Sequence, residues 1–259
     1  MRTARKVGVR LASNTTRLLF DADMLLYIAC QRNEKVIEWD DGLFTLHCYL
    51  SDATASFDEH VQELTNLVLE HYNIEGEYEI IMCLSDDEVN FRKQLCVDYK
   101  ANRDHKRRPV CYKAMRDWIP KHYTTLKYPR LEADDVIGIT IGSNDIAISG
   151  DKDFKTIPCH FYDFSRNEYF DSTEEDANYW HLFQTLIGDP TDNYKGCPKV
   201  GEVKAKKILD EDCSWEAVVR AYEANGSDEE TALLNARLAF ILRNGYYNKK
   251  TKKVKLWTP

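Results

Sequence analysis

The sequence has no apolar run near the roughly 20 residues needed to cross a bilayer, no Cys-x-x-Cys pair, no internal repeat and no low-complexity segment. The first absence leaves no membrane-spanning candidate. The second argues against a zinc site or a disulfide frame. Cys30, Cys48, Cys83, Cys96, Cys111, Cys159, Cys197 and Cys213, several of them in apolar stretches, read as reduced core thiols of a cytoplasmic protein. The first seventeen residues contain no acid, only Arg2, Arg5, Lys6, Arg10 and Arg17 as charges, and they lack the apolar core of a secretory signal. Residues 1–16 therefore read as a basic arm. None of the seven histidines falls in an acid-rich motif.

What is present is enough apolar residue, 43% of 259, for one large α/β domain or two small ones. The net charge of −8 argues against a protein that merely coats nucleic acid. Its distribution is uneven. Between Arg92 and Arg130 twelve Lys or Arg face three acids, a local charge of +9, which leaves −17 on the rest. A basic block beside acid clusters suits an enzyme that grips phosphates with one part and metal ions with another.

The acid clusters follow a pattern. Arg17-Leu18-Leu19-Phe20-Asp21-Ala22-Asp23 reads as a short buried strand ending in acids, with a helix following from Met24 to Cys30. Ligands of open α/β sheets gather at the carboxyl ends of strands. Asp21 is thus in a functional position, while Asp23 reads as the helix cap. Tyr78 to Leu84 is a second strand, ending in Ser85-Asp86-Asp87-Glu88, and Asp145 to Phe154 a third buried strand ending in acids, with Asp151 and Asp153 two apart. Leu131-Glu132-Ala133-Asp134-Asp135 places three carboxylates in four residues ahead of an apolar run. Acids favour helix starts, but three together repel unless a cation lies among them, and oxygen-only ligands imply Mg²⁺ or Mn²⁺. Gly188-Asp189-Pro190-Thr191-Asp192-Asn193 adds two acids in a turn.

Around these, Val36 to Leu50 predicts a β-hairpin turning at Asp41-Gly42, Thr54 to His71 and Cys111 to Tyr123 helices, and Cys159 to Phe170 a strand pair. Further helices are predicted over 176–187, 202–209, 215–225 and 229–244. Tyr99 to Pro109 carries high charge and no apolar period, as a mobile basic loop or a helix that orders on binding does, with Tyr99 beside Lys100 and Arg103 offering stacking and phosphate contact. The Gly-bounded turn before Lys204 offers backbone N–H groups and charge to a phosphate. The tail from Arg243 holds six basic residues and no acid.

Together, strand-ending Asp21 and Asp86, Glu132-Ala133-Asp134-Asp135, Asp151-Lys152-Asp153, Gly188-Asp189-Pro190-Thr191-Asp192-Asn193 and Tyr99-Lys100-Ala101-Asn102-Arg103 resemble the motifs of the 5′-nuclease superfamily: flap endonucleases, bacteriophage 5′-exonucleases and the 5′-nuclease domain of DNA polymerase I. Asp151 to Pro158, Trp180 to Thr185, Arg237 to Arg243 and Leu256-Trp257 are similar to the 5′→3′ exonucleases of short-tailed phages. The resemblance spans about residues 17–259. It implies a single domain with a central, mainly parallel sheet and helices on both faces. It also implies a helical arch at about 88–112 and a helix-three-turn-helix element at about 188–210. Asp21, Asp86, Glu132 and Asp134 would hold one metal ion; Asp151, Asp153, Asp189 and Asp192 would lie near a second, with Asp135 in the shared region. Lys100 and Arg103 would steer the scissile phosphate. Tyr99, Arg92, Lys93, Lys106, Arg107, Lys199, Gly201 and Lys204 would contact DNA, with Lys199 standing where the family's hairpin has a glycine.

The expected activity is metal-dependent 5′→3′ hydrolysis of duplex DNA ends and of RNA paired to DNA, with two Mg²⁺ ions replaceable by Mn²⁺. Phage replication proteins are expected partners and the host cytoplasm the expected compartment. Flap cleavage is the alternative within the family. Two rivals lie outside it. Phe20-Asp21-Ala22-Asp23 resembles the nucleophilic Asp-x-Asp of haloacid-dehalogenase phosphatases, although Leu25 fits that motif poorly. A DNA-end-binding protein without catalysis would have no reason to keep carboxylates that repel phosphate.

Overall fold

The computed structural model describes residues 15–103 and 105–259. Of the basic arm read at 1–16, residues 1–14 lie outside the described residues. The chain runs β1 (Thr16–Asp21), α1 (Ala22–Asn33), a hairpin of β2 (Lys35–Glu38) and β3 (Phe44–His47), α2 (Leu50–Tyr72), β4 (Tyr78–Leu84), α3 (Phe91–Leu95), α4 (Tyr112–His122) and β5 (Thr124–Lys127). It continues through α5 (Ala133–Gly138), β6 (Ile146–Ser149), β7 (His160–Asp163), β8 (Glu168–Asp171), α6 (Glu174–Ile187), α7 (Glu202–Glu211), α8 (Trp215–Ala224), α9 (Glu229–Ala239) and the hairpin β9 (Tyr247–Asn248) and β10 (Lys253–Val254).

Six strands form one sheet in the order β5-β4-β1-β6-β7-β8, with β8 antiparallel to β7 and every other pairing parallel. Parallel strands need both faces covered, and the apolar runs meet that need by alternation. Leu18, Phe20, Met82, Leu84, Ile146 and Ile148 join a core with α1, α2 and α4. Their neighbours Leu19, Ile81, Cys83 and Ala147 join a second core with Val136 and Ile137 of α5 and with Phe240, Ile241 and Leu242. Each fully buried Leu or Phe contributes about 2 kcal/mol. A third core packs α6, α7, α8 and α9 against one another. The chain leaves β1 to build one half of the sheet and returns through α5 to build the other, so the order switches between β1 and β6, where crevices form. All eight cysteines are free thiols, and no helix among the described residues is long and apolar enough to cross a membrane.

Two elements depart from expectation. The last helix stops at Ala239, and Phe240 to Leu242 continue extended and buried. They leave the helix because side chains take over their backbone bonds: Arg92 donates to the Phe240 carbonyl at 2.6 Å and Asp135 accepts from the Leu242 N–H at 3.0 Å. The segment expected as a helical arch holds only the five-residue α3 and a 3₁₀ turn at Ala101–Arg103 among its described residues before α4 begins. Its high charge and Pro109 give no apolar face for a longer helix to bury.

His181 sits among Phe240 and Trp257, donates Nε2–H to the Ala236 carbonyl at 2.8 Å, and is pushed down by burial to a pKa of about 4. The unfolded imidazole, near 6.5, takes up its proton first, so acidification favours the unfolded chain. Between pH 6.5 and 4 this one group should cost about 3 kcal/mol of stability. Urea unfolding of the protein beside His181→Gln should show that difference in slope, and parallel pH profiles for the two would refute it.

Candidate active site

The carboxyl ends of β4, β1 and β6 lie side by side, and each is followed by acids. Asp21 ends β1 and caps α1, accepting from the Met24 N–H at 3.3 Å, while the Ser149 hydroxyl at the end of β6 donates to its other oxygen at 2.9 Å. Ser149 also accepts from the Asp151 N–H at 3.1 Å, which fixes the turn after β6. Asp86, after β4, accepts from the Arg130 N–H at 2.7 Å. Glu132 precedes the first turn of α5, its N–H held by Asp135 at 3.2 Å, and Asp134 follows on that turn. These groups wall a cleft of about 700 Å³ whose lining also includes Lys93, Lys100, Arg103, Lys106, Arg107 and Arg116.

The electrostatics separate the acids. Burial and the charges of Asp21 and Asp151 push Asp134 well above the usual carboxylate range. Burial, then Asp23, raises Asp21 to about 7, and burial, then Asp151, raises Asp153 to about 8. Asp151 is raised by burial too. Glu132 is the opposite case. Burial pushes it up, but Lys100 and then Arg92 outweigh that and hold it at about 2. Lys100 Nζ lies 2.5 Å from Glu132 and 3.4 Å from Asp192. Burial lowers the Lys100 pKa, yet these carboxylates carry it above its ordinary value.

The turn after α6 supplies Asp189 and Asp192. It closes because Gly188 and Gly196 cross backbone to backbone at φ 71° and 66°, and a Cβ on Gly188 would fall 2.4 Å from the Gly196 nitrogen. Asp189 accepts from the N–H of Thr191 at 2.6 Å and of Asp192 at 3.3 Å. Asp192 receives Arg103 at 2.7 Å and the Tyr99 hydroxyl at 2.8 Å. Asp153 accepts from the Gln184 side chain.

Four expectations from the sequence are corrected by this geometry. Asp135 does not face the cleft. It is wholly buried, takes both Arg92 guanidinium nitrogens at 2.7 and 2.8 Å and two backbone N–H groups, and so has no lone pair left for a ligand. Arg92 is 2% exposed and anchors Asp135, Glu132 and the Leu238 and Phe240 carbonyls, so it cannot reach DNA. Tyr99 is also 2% exposed, packed with Tyr194, Leu238 and Ala239, so its ring cannot stack on a base. The helix-capping role assigned to Asp23 belongs to Asp21. Asp23 instead pairs with Arg116 and accepts from the Ser85 N–H at 2.7 Å.

Arg116 carries a role that the sequence did not single out. It also reaches the Ser85 carbonyl at 2.6 Å and Asp87 at 2.8 Å, tying the loop after β4 to α1. Its only sequence signal was membership of the basic block. Arg107 pairs with Glu34, and Lys106 stands exposed at the cleft. Lys199, Gly201 and Lys204 lie outside the cleft lining, exposed at the start of α7. Lys199 takes φ 60°, the left-handed conformation that a glycine would adopt more easily.

The donor set is oxygen-only, and among the described residues Asp21, Asp134 and Asp151 carry no ion pair although Lys and Arg side chains line the same cleft, which suits a hard divalent cation. Among the described residues no three His, Cys, Asp or Glu side chains are gathered around one point.

No family model matches the chain. The exonuclease of Escherichia phage T7 is 29% identical over 285 residues, covering 93% of each chain. The exodeoxyribonuclease of Enterobacteria phage T3 is 28% identical over 288 residues, covering 93% of this chain and 92% of that one. Among solved structures, the flap endonuclease of bacteriophage T5, in a complex with DNA and metal ions, superposes with a TM-score of 0.59 at 16% identity, over 86% of this chain and 88% of that one. The zinc-bound T5 5′-exonuclease gives the same TM-score and identity over 86% and 89%. At such identity the structures speak for the fold alone, a mainly parallel sheet covered by helices. The chain is thus similar along nearly its whole length to two phage exonucleases, and it shares the fold of the T5 nuclease structures.

The buried Arg92–Asp135 pair predicts a stability phenotype. Arg92→Met leaves Asp135 charged and enclosed, at a cost of about 3–5 kcal/mol in urea unfolding. Arg92→Met with Asp135→Leu should recover most of it. An unchanged midpoint in the single variant would contradict the pairing.

Proposed function

We propose that this protein is a divalent-metal-dependent 5′→3′ exonuclease, hydrolysing phosphodiester bonds from the 5′ ends of duplex DNA and of RNA paired to DNA, with Mg²⁺ as its metal. The observation that carries the reading is the row of acids at three adjacent strand ends, facing Lys100 and Arg103 across one cleft. Similarity along 93% of the chain to proteins named exonuclease and exodeoxyribonuclease supports it.

The chemistry that bound divalent ions supply is an acidified water and a neutralised leaving oxygen. Asp21, Asp86, Glu132 and Asp134 are the residues we assign to the first ion. Asp151 serves the second, with Asp153, Asp189 and Asp192 in its surroundings. Lys100 offers an ammonium already held among carboxylates, so a phosphate entering the cleft meets a fixed positive charge that needs little reorientation. Arg103, held on Asp192 at 2.7 Å, brings a second positive charge to the mouth of the cleft. Asp189 orders the 191–192 backbone, and that backbone fixes Lys100 through its N–H to the Asp192 carbonyl at 2.9 Å.

Duplex DNA labelled at the 5′ or the 3′ end, incubated with Mg²⁺ or with EDTA, tests the reading. Short 5′-labelled products that need Mg²⁺ and vanish with Asp134→Ala are expected. Binding without cleavage, or cleavage that survives Asp134→Ala, would overturn it, and a flapped substrate cut at its junction would mark flap cleavage.

Lys100→Met should lower the single-turnover rate about 10²–10³-fold while DNA is still bound. A variant of near-normal rate would remove Lys100 from the chemistry.

A further inference from the structure

The basic tail has no part in the cleft, and the structure gives it a shape. Residues 247–254 form the β9–β10 hairpin, whose loop and second strand carry Lys249, Lys250, Lys252 and Lys253, with Lys255 just beyond. All five are exposed, and no ion pair holds any of them among the described residues. No acid lies between Arg243 and the last residue, although the whole chain is negative. Lys252 turns the hairpin at φ 56°, a left-handed position where Gly or Asn would be easier. A lysine kept at such a turn, among four others that nothing neutralises, is poorly explained by folding.

The hairpin is tied to the cleft. The Tyr247 hydroxyl donates to the Pro129 carbonyl at 3.1 Å, and Lys249 Nζ sits 4.8 Å from the centre of the Tyr128 ring. The next residue, Arg130, gives its N–H to Asp86 at 2.7 Å, and Glu132 follows two positions later. One short turn thus separates the lysine hairpin from two of the cleft's acids.

We propose that the β9–β10 hairpin is a second nucleic-acid contact, gripping backbone phosphates of the duplex outside the catalytic cleft. This rests on the reading of the protein as a DNA-hydrolysing enzyme. Flexible, solvated ammonium groups on a small hairpin suit sequence-independent phosphate contact. Acidic protein is the lesser fit, because the hairpin's apolar and aromatic side chains pack inward against the second core, leaving charge but no apolar surface for a protein interface.

The experiment compares the full chain with a variant carrying Lys249→Gln, Lys250→Gln, Lys252→Gln and Lys253→Gln. A second variant carries Arg at the same four positions. Binding to duplex DNA is measured in Ca²⁺ across a salt series, and cleavage in Mg²⁺ at saturating DNA. The Gln variant should bind more weakly, with a log–log salt slope shallower by roughly 1 for each phosphate that is no longer neutralised, so by about 2–4. Its cleavage rate at saturating DNA should match the parent, and the Arg variant should keep the parent slope. Equal affinity and slope in all three proteins would overturn the proposal, as would a Gln variant that loses rate at saturation with unchanged slope. If the parent itself neither binds nor cuts duplex DNA, the functional reading fails and this inference with it. That outcome differs visibly from a parent that cuts and a hairpin that contributes nothing.

Discussion

Like charges at one end of a sheet are the constraint that the rest of this structure answers. Two carboxylates 4 Å apart repel by about 4 kcal/mol at the effective dielectric of a protein surface, and here β1, β4 and β6 deliver acids to one place together with the start of α5. The fold offsets this in three ways. Arg92 is sunk beneath the acids and binds Asp135 and Glu132 from inside. Lys100 enters from the cleft side and meets Glu132 and Asp192. Asp134, Asp21 and Asp153, which have no full-strength cation, hold their protons far above the ordinary range. The short α3, the extended 240–242 segment and the turn at 188–196 all make sense as the supports that bring these partners in.

This divides the acids by what they lack. Asp135, like Asp145 beside Arg17, is saturated with donors and acts as an anchor. Asp21, Asp134 and Asp151 have fewer partners than a buried carboxylate requires, which is where a protein holds unused binding capacity. Glu132 stands between the groups, ionised but already paired. On the proposed reading, an entering phosphate meets Lys100 where its carboxylate contacts already hold it, while Arg92 stays beneath the acids.

Much of this was legible in the sequence, because its signals are local. Strand runs followed by acids marked β1, β4 and β6, and Asp41-Gly42 marked the first hairpin. The parallel order and the helices on both faces were expected from the family resemblance. What failed was long-range. Whether Arg92 faces DNA or the core depends on carbonyls 146 and 148 positions away. Tyr99 looked like a stacking residue because its neighbours are basic, yet Leu238 and Ala239 bury it. Asp21 caps α1 where Asp23 was expected to, because Arg116, ninety-three positions on, claims Asp23. A motif shows which residues gather but not which of them end up behind the others.

The same logic explains how a chain of net charge −8 can handle a polyanion. Its arginines are largely engaged within the chain. Arg17, Arg92, Arg103, Arg107, Arg116, Arg166 and Arg220 each pair with one of its carboxylates. The planar guanidinium fork fits a carboxylate with two bonds and loses little freedom in doing so. Lysines, as flexible and strongly hydrated points of charge, are left exposed at 106, 199, 204 and along 249–255. Among the described residues arginines therefore hold most of the acid pairs, with Lys100 the lysine that enters the site, while the other lysines named here face solvent. Replacing those arginines by lysines would conserve net charge and still disturb this sorting, because a single ammonium could not hold Asp135 in the bidentate grip on which the floor of the site rests.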